Sequence, residues 1–174
     1  MNEQPKVIFK EVQRFGFILR LFIVFSMSVA AIANSFGLYK MLSEPQPSSM
    51  LSIALLIIVG ILFPAALSIL FIMLKLETMV RPDGLYARYF PLHLHFKRFS
   101  FDDINEYFVR TYRPIREYGG WGIRCGFGDS GKAYNVRGNK GLQLVFKNGK
   151  RLLIGSQQPE RLVEALNSIQ PQND

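Results

Sequence analysis

The chain has 174 residues, a net charge of +8 and a single cysteine. That length allows one small folded domain beside any membrane segment. One cysteine excludes an intrachain disulfide framework and fits a reducing compartment.

In chain order, Met1 to Gln13 is polar and basic and reads as a short interfacial segment. Leu21 to Tyr39 carries no charge, and neither does the run from Leu51 to Leu74. At ~1.5 Å rise per residue each run can cross a hydrocarbon core about 30 Å thick. The expectation is a two-helix membrane anchor over residues 1–76, with spans at about 16–38 and 51–74. The first run is too long for the apolar core of a signal peptide, typically about 7–15 residues, and a second follows closely, so it reads as a retained helix. Arg20 lies one turn inside the first span, from where its guanidinium reaches the headgroups. Asn34 either pairs with the second helix or sits near an interface. The connector Ser43-Glu44-Pro45-Gln46-Pro47-Ser48-Ser49 is rich in turn formers. Pro64 removes a backbone donor in mid-span and predicts a kink. Neither span holds Asp, Glu, Lys or His in its central stretch, which argues against a transporter or pump.

Lys6, Lys10, Arg14 and Arg20 precede the first span, and Lys75, Arg81, Arg88, Lys97 and Arg98 follow the second. This bias predicts a multi-pass protein of the cytoplasmic membrane with both termini inside. From Lys75 onward sixteen basic residues face ten acidic ones, a net of +6. A basic unit beside an anionic leaflet gains roughly 1 kcal/mol per well-placed cation, although the same charges also serve topology and solubility.

From Glu77 the pattern changes to period two, which opens a cytoplasmic β domain over residues 77–174. Arg81-Pro82-Asp83-Gly84 is a turn between Glu77–Val80 and Leu85–Phe90. Leu92 to Phe99 alternates in a strand-like way. Ile104–Tyr112 is rich in aromatic and β-branched residues. A glycine-heavy stretch, Tyr118 to Gly141, comes next. Asn148-Gly149 then joins Leu142–Lys147 to Arg151–Ile154 as a hairpin. A closing helix over about 159–169 starts at Pro159, carries Glu160 in its first turn, and puts Leu162, Val163, Leu166 and Ile169 on one face. That face must cover a sheet. The fold class is a membrane α-hairpin plus a mainly-β domain capped by a C-terminal amphipathic helix.

Two membrane helices, strands, a closing hairpin and a terminal helix together resemble bacterial membrane proteins with a pleckstrin-homology-like domain. The resemblance covers about residues 78–170. It rests on Tyr118-Gly119-Gly120-Trp121-Gly122-Ile123-Arg124, on Gly131-Lys132-Ala133-Tyr134-Asn135-Val136-Arg137-Gly138, on Leu152-Leu153-Ile154-Gly155-Ser156-Gln157, and on Pro159-Glu160. It implies a strongly bent antiparallel sheet of about seven strands capped by the helix, and a role in self-assembly or lipid binding. It implies no catalytic residue and no cofactor.

Eight glycines between Gly119 and Gly141 are interleaved with Arg124, Lys132, Arg137 and Lys140. Converging amides and cations suit phosphate, while tight turns and bulges in a bent sheet explain the glycines equally well. No Walker pattern is present, because Ala133 follows Gly131-Lys132. Arg113, Arg116, Arg124, Lys132, Arg137 and Lys140 are the candidate contacts to lipid headgroups or phosphate. Trp121 is the candidate interface residue, with packing over the sheet as the alternative. His93 and His95 lack a third ligand for a closed metal site. Asp102, Asp103 and Glu106 read as turn chemistry. Cys125 has no base nearby in sequence and reads as a structural thiol. Tethering and the absence of a recognition motif argue against nucleic acid as a partner.

The sequence thus predicts a non-enzymatic membrane protein that presents a basic module to anionic headgroups or to a protein partner. The alternative is an assembly or accessory subunit of a membrane complex, acting through self- or hetero-oligomerisation.

Overall fold

The computed structural model describes residues 6–43 and 49–169. It divides into two compact units, Gly16–Met73 and Met1–Phe15 with Leu74–Asp174. The predicted turn-rich connector falls mostly on residues 44–48, outside the described residues.

The first unit is a pair of helices. Helix α1 runs over Phe17–Ser43. Helix α2 runs over Met50–Met73, and both are long and apolar enough to cross a membrane. Ser49 caps α2 by accepting from the Ser52 N–H at 3.2 Å. Within α2, Ile58–Leu62 forms a π-helical turn. Pro64 explains it, since proline has no N–H for the Gly60 carbonyl and the ladder adjusts by one wider turn. Gly60 also lies against α1. A Cβ there would lie 2.6 Å from Asn34, whose side-chain amide turns back to the Ala30 carbonyl at 2.8 Å. Asn34 therefore satisfies itself within α1 and packs against a glycine notch. Large apolar side chains such as Phe22, Phe25, Phe36, Leu51, Leu55 and Phe63 are exposed on this unit.

The second unit holds two sheets and two helices. In the first sheet β1 (Phe9–Arg14), β2 (Lys75–Arg81), β3 (Gly84–Phe90) and β4 (Lys97–Phe99) run in that order. In the second, β5 (Ile104–Thr111), β8 (Lys140–Phe146), β9 (Arg151–Gly155), β7 (Lys132–Asn135) and β6 (Gly122–Cys125) are neighbours in that order. Both predicted hairpins form, at Pro82-Asp83 and at Asn148-Gly149. All pairs are antiparallel except β7 with β9. Helix α3 (Pro114–Tyr118) follows β5. Helix α4 (Pro159–Asn167) packs on strands of both sheets. Leu76, Val80, Leu85, Leu142, Leu144, Leu153, Ile154, Leu162 and Leu166 are essentially inaccessible. This is the core that the amphipathic closing helix was expected to cover.

Three expectations are corrected. The N-terminal segment, read as a short interfacial stretch beside the anchor, forms a strand: Phe9–Arg14 pairs with β2 from Phe9↔Val80 to Arg14↔Lys75. Its inward positions include Glu11 and Gln13, polar residues that hide the period-two signal. Gln13 Nε2 donates to the Gly155 carbonyl at 2.6 Å. The Glu11 carboxylate accepts from the Ser156 hydroxyl at 2.6 Å and the Gln157 N–H at 2.8 Å. Second, the described residues form a four-stranded and a five-stranded sheet where one bent sheet of about seven strands was expected. Short β6 and β7 inside the glycine stretch, together with β1, are the strands that the local pattern did not mark. Third, the alternation over Leu92 to Phe99 yields a strand only at Lys97–Phe99. Pro91 has no N–H for the ladder, and residues 91–96 form a loop.

Candidate functional site

Where β4 faces the β7–β9 end of the second sheet, a cleft of about 820 Å³ opens. Lys97, Lys132, Lys150 and Arg151 line it. Its apolar wall is Phe99, Tyr134 and Phe146, with the Phe99 and Phe146 rings 5.9 Å apart and joining the two sheets. The Lys97 ammonium donates to the Tyr134 hydroxyl at 3.0 Å and stands 5.5 Å from the centre of that ring. The Arg151 guanidinium lies 3.4 Å from the Asp129 carbonyl. Gly131 shapes the floor: its φ is +72°, and a Cβ would lie 2.3 Å from the Arg151 carbonyl oxygen, so only glycine lets the strand approach. Asp103 and Asp129 also line the cleft. Among the described residues, neither carboxylate and none of the four cations is in an ion pair. Beside the cleft, burial and then the Lys97 charge hold the His93 imidazole below its ordinary range.

A second surface forms around α3. Pro114 starts the helix and Gly119 ends it in a left-handed cap. Tyr118 is buried beneath, its hydroxyl on the Ser130 carbonyl at 3.0 Å and its ring edge-on to Tyr112. Burial pushes the Tyr112 phenol up to about 12. Glu117 pairs with Arg110 and accepts from the Arg113 N–H at 2.7 Å. Its charge is thereby used locally, and the exposed Arg113 and Arg116 have no carboxylate partner among the described residues. The Phe127 N–H reaches the Glu117 carbonyl at 3.0 Å, which brings a second apolar residue to α3. Ile115 is 69% exposed and Phe127 68%. Trp121 is 37% exposed, and its indole N–H donates to the Gly138 carbonyl at 3.0 Å. Arg124 Nε donates to the Trp121 carbonyl at 3.0 Å. Arg137, next to Gly138, is exposed.

The six predicted phosphate contacts therefore separate. Arg113 and Arg116 lie on α3, Arg124 donates to the Trp121 carbonyl, and Arg137 adjoins the Gly138 that accepts from the Trp121 indole. Lys132 alone lines the cleft. Lys140 pairs with Glu160 at 3.3 Å. Lys97, Lys150 and Arg151 were missed as site residues. Lys150 and Arg151 had a signal, since they flank the Asn148-Gly149 turn. Lys97 had none, because its neighbours across the cleft are distant in sequence. His93 is half-buried with Nδ1 3.4 Å from the Tyr89 N–H, and His95 is exposed. Both lie in the loop over residues 91–96, outside any strand. Cys125 is exposed on β6.

A family model described as a family of unknown function, DUF6141, matches residues 2–171. No curated protein and no solved structure matches the chain.

Proposed function

We propose that this chain, which belongs to the family of unknown function DUF6141, is a two-helix protein of the cytoplasmic membrane, with both termini inside. Its β unit acts as a non-enzymatic, pleckstrin-homology-like module that binds the anionic leaflet. One observation carries the reading: the stretch 113–137 exposes the apolar residues Ile115, Trp121 and Phe127 together with Arg113, Arg116, Arg124 and Arg137, and among the described residues none of these arginines is in an ion pair. Indole and phenyl rings are favoured at a membrane interface. Guanidinium groups fork onto phosphate oxygens, and each basic residue near an anionic surface adds about 1 kcal/mol. The two helices expose apolar residues around their circumference, a pattern suited to lipid. Two sheets with a C-terminal helix across them support the pleckstrin-homology-like reading.

Trp121 is the only tryptophan, so its fluorescence reports on this surface directly. With the full chain in phosphatidylcholine vesicles, adding phosphatidylglycerol is expected to shift Trp121 emission to the blue and increase its quenching by brominated lipids. Arg113→Glu with Arg116→Glu is expected to remove both changes. Emission indifferent to the anionic lipid would overturn the reading.

A second reading, assembly through the β unit, has its own observation. Strand β5 is an edge of its sheet, with Phe108 38% and Val109 36% exposed. A stoichiometric oligomer or partner in mild detergent that Val109→Lys abolishes would favour it.

A further inference from the structure

The cleft between β4 and the β7–β9 strands has a charge pattern that the leaflet contact does not use. It holds four cations and two carboxylates, and among the described residues no ion pair joins any of them. All six charges are therefore open to a ligand. Lys97 is held by the Tyr134 hydroxyl and ring, and Asp103 sits in a tight 3-10 turn whose carbonyl accepts from the Lys147 N–H at 2.9 Å. Asp129 sits in another such turn, and its carbonyl faces the Arg151 guanidinium. A ligand carrying only negative charge would leave both carboxylates beside it, and like charges in one cleft repel. A ligand carrying only positive charge would face twice as many cations. A ligand with both charges satisfies the whole set.

We infer that this cleft binds a phosphorylated amine, with the phosphate held by Lys132, Lys150 and Arg151 and the ammonium by Asp103 and Asp129. Phe99, Tyr134 and Phe146 supply an apolar wall for the short carbon link between the two groups. The volume of about 820 Å³ falls within the range of small-molecule sites. The ligand chemistry is that of phosphoethanolamine, free in solution or as the headgroup of a phospholipid. This inference does not rest on the leaflet contact, since it uses none of the α3 residues.

The test uses the full chain in detergent micelles and isothermal titration with three probes: O-phosphoethanolamine, inorganic phosphate and ethanolamine. O-Phosphoethanolamine is expected to bind at least about fivefold more tightly than inorganic phosphate, the increment of roughly one exposed ion pair. Ethanolamine alone is expected to bind undetectably. Asp129→Asn with Asp103→Asn should bring the first probe to the level of the second and leave inorganic phosphate no weaker. Lys132→Glu with Lys150→Glu should abolish both. These positions are exposed, and unchanged circular dichroism identifies folded variants. Displacement of O-phosphoethanolamine by phosphatidylethanolamine nanodiscs assigns the ligand to the lipid headgroup, and failure to displace assigns it to a soluble phosphorylated amine. Equal affinity for the first two probes, no binding of either, or an advantage that survives the double asparagine variant overturns the inference. Trp121 emission in anionic vesicles should be unchanged in the cleft variants, so failure here and failure of the leaflet contact are read separately.

Discussion

The helical pair and the β unit handle the same apolar residue types in opposite ways. In α1 and α2 large side chains such as Phe25, Phe36, Leu55 and Phe63 are exposed, although both helices are hydrophobic almost throughout. In the β unit Leu76, Leu85, Leu142, Leu153 and Leu166 are hidden from solvent. Two apolar helices can bury only the stripe along which they touch, and here that stripe includes the notch at Gly60. A β unit sorts its residues because strand alternation sends every second side chain to one face. The lesson is that one unit leaves its solvent unstated while the other carries its own interior.

The largest effect should separate the two units. Leu153→Ala removes a fully buried side chain that packs with Tyr112, Tyr118 and Ala133, and is expected to cost about 2–5 kcal/mol. Leu55→Ala, at a residue 52% exposed on α2, should leave the denaturant midpoint of the β unit within error. Equal losses in a denaturant series would mean that the helical face is buried against protein.

A middle effect tests the polar part of the β interior. Burial pushes the Glu77 carboxyl up, but Arg88 and Lys75 outweigh it and hold it below its usual value. Lys75 Nζ lies 2.7 Å from this carboxylate, and Arg88 pairs with it from the facing strand. A group with a lowered folded pKa adds stability above its unfolded value and loses it as pH falls through the folded one. The contribution should therefore be complete above about pH 4.5 and fade below that. Glu77→Gln is expected to cost roughly 1–3 kcal/mol at neutral pH and to flatten this part of the acid limb in thermal scans. An unchanged acid limb would place the sensitivity elsewhere.

The smallest effect belongs to the surface. Lys140 and Glu160 form an exposed ion pair, so Lys140→Ala is expected to change stability by at most about 0.5 kcal/mol. A loss several times larger would show that this contact organises the start of α4.

Legibility followed the same division. The apolar runs, the two tight hairpins and α4 could be read because each signal lies within a few neighbouring residues. Strand β1 could not, since its inward Glu11 and Gln13 are satisfied by Gly155, Ser156 and Gln157 from the far end of the chain. Strands β6 and β7 were masked by the glycines around them. Of the candidate contacts, the α3 arginines and Trp121 were foreseen as local clusters. The cleft was not, because Lys97, Lys132 and Arg151 become neighbours only once β4 and the second sheet face each other.

By itself, the order of amino acids determined where the chain is long and apolar enough to cross a membrane, where it turns and which face its last helix buries. These properties depend on residues three or four positions apart. Tertiary structure alone decided that the N-terminal strand completes a sheet, that the Trp121 indole meets the Gly138 carbonyl beside Arg137, and that cations and carboxylates share one cleft unpaired. Those outcomes depend on pairings across tens of residues, whose register no local pattern encodes.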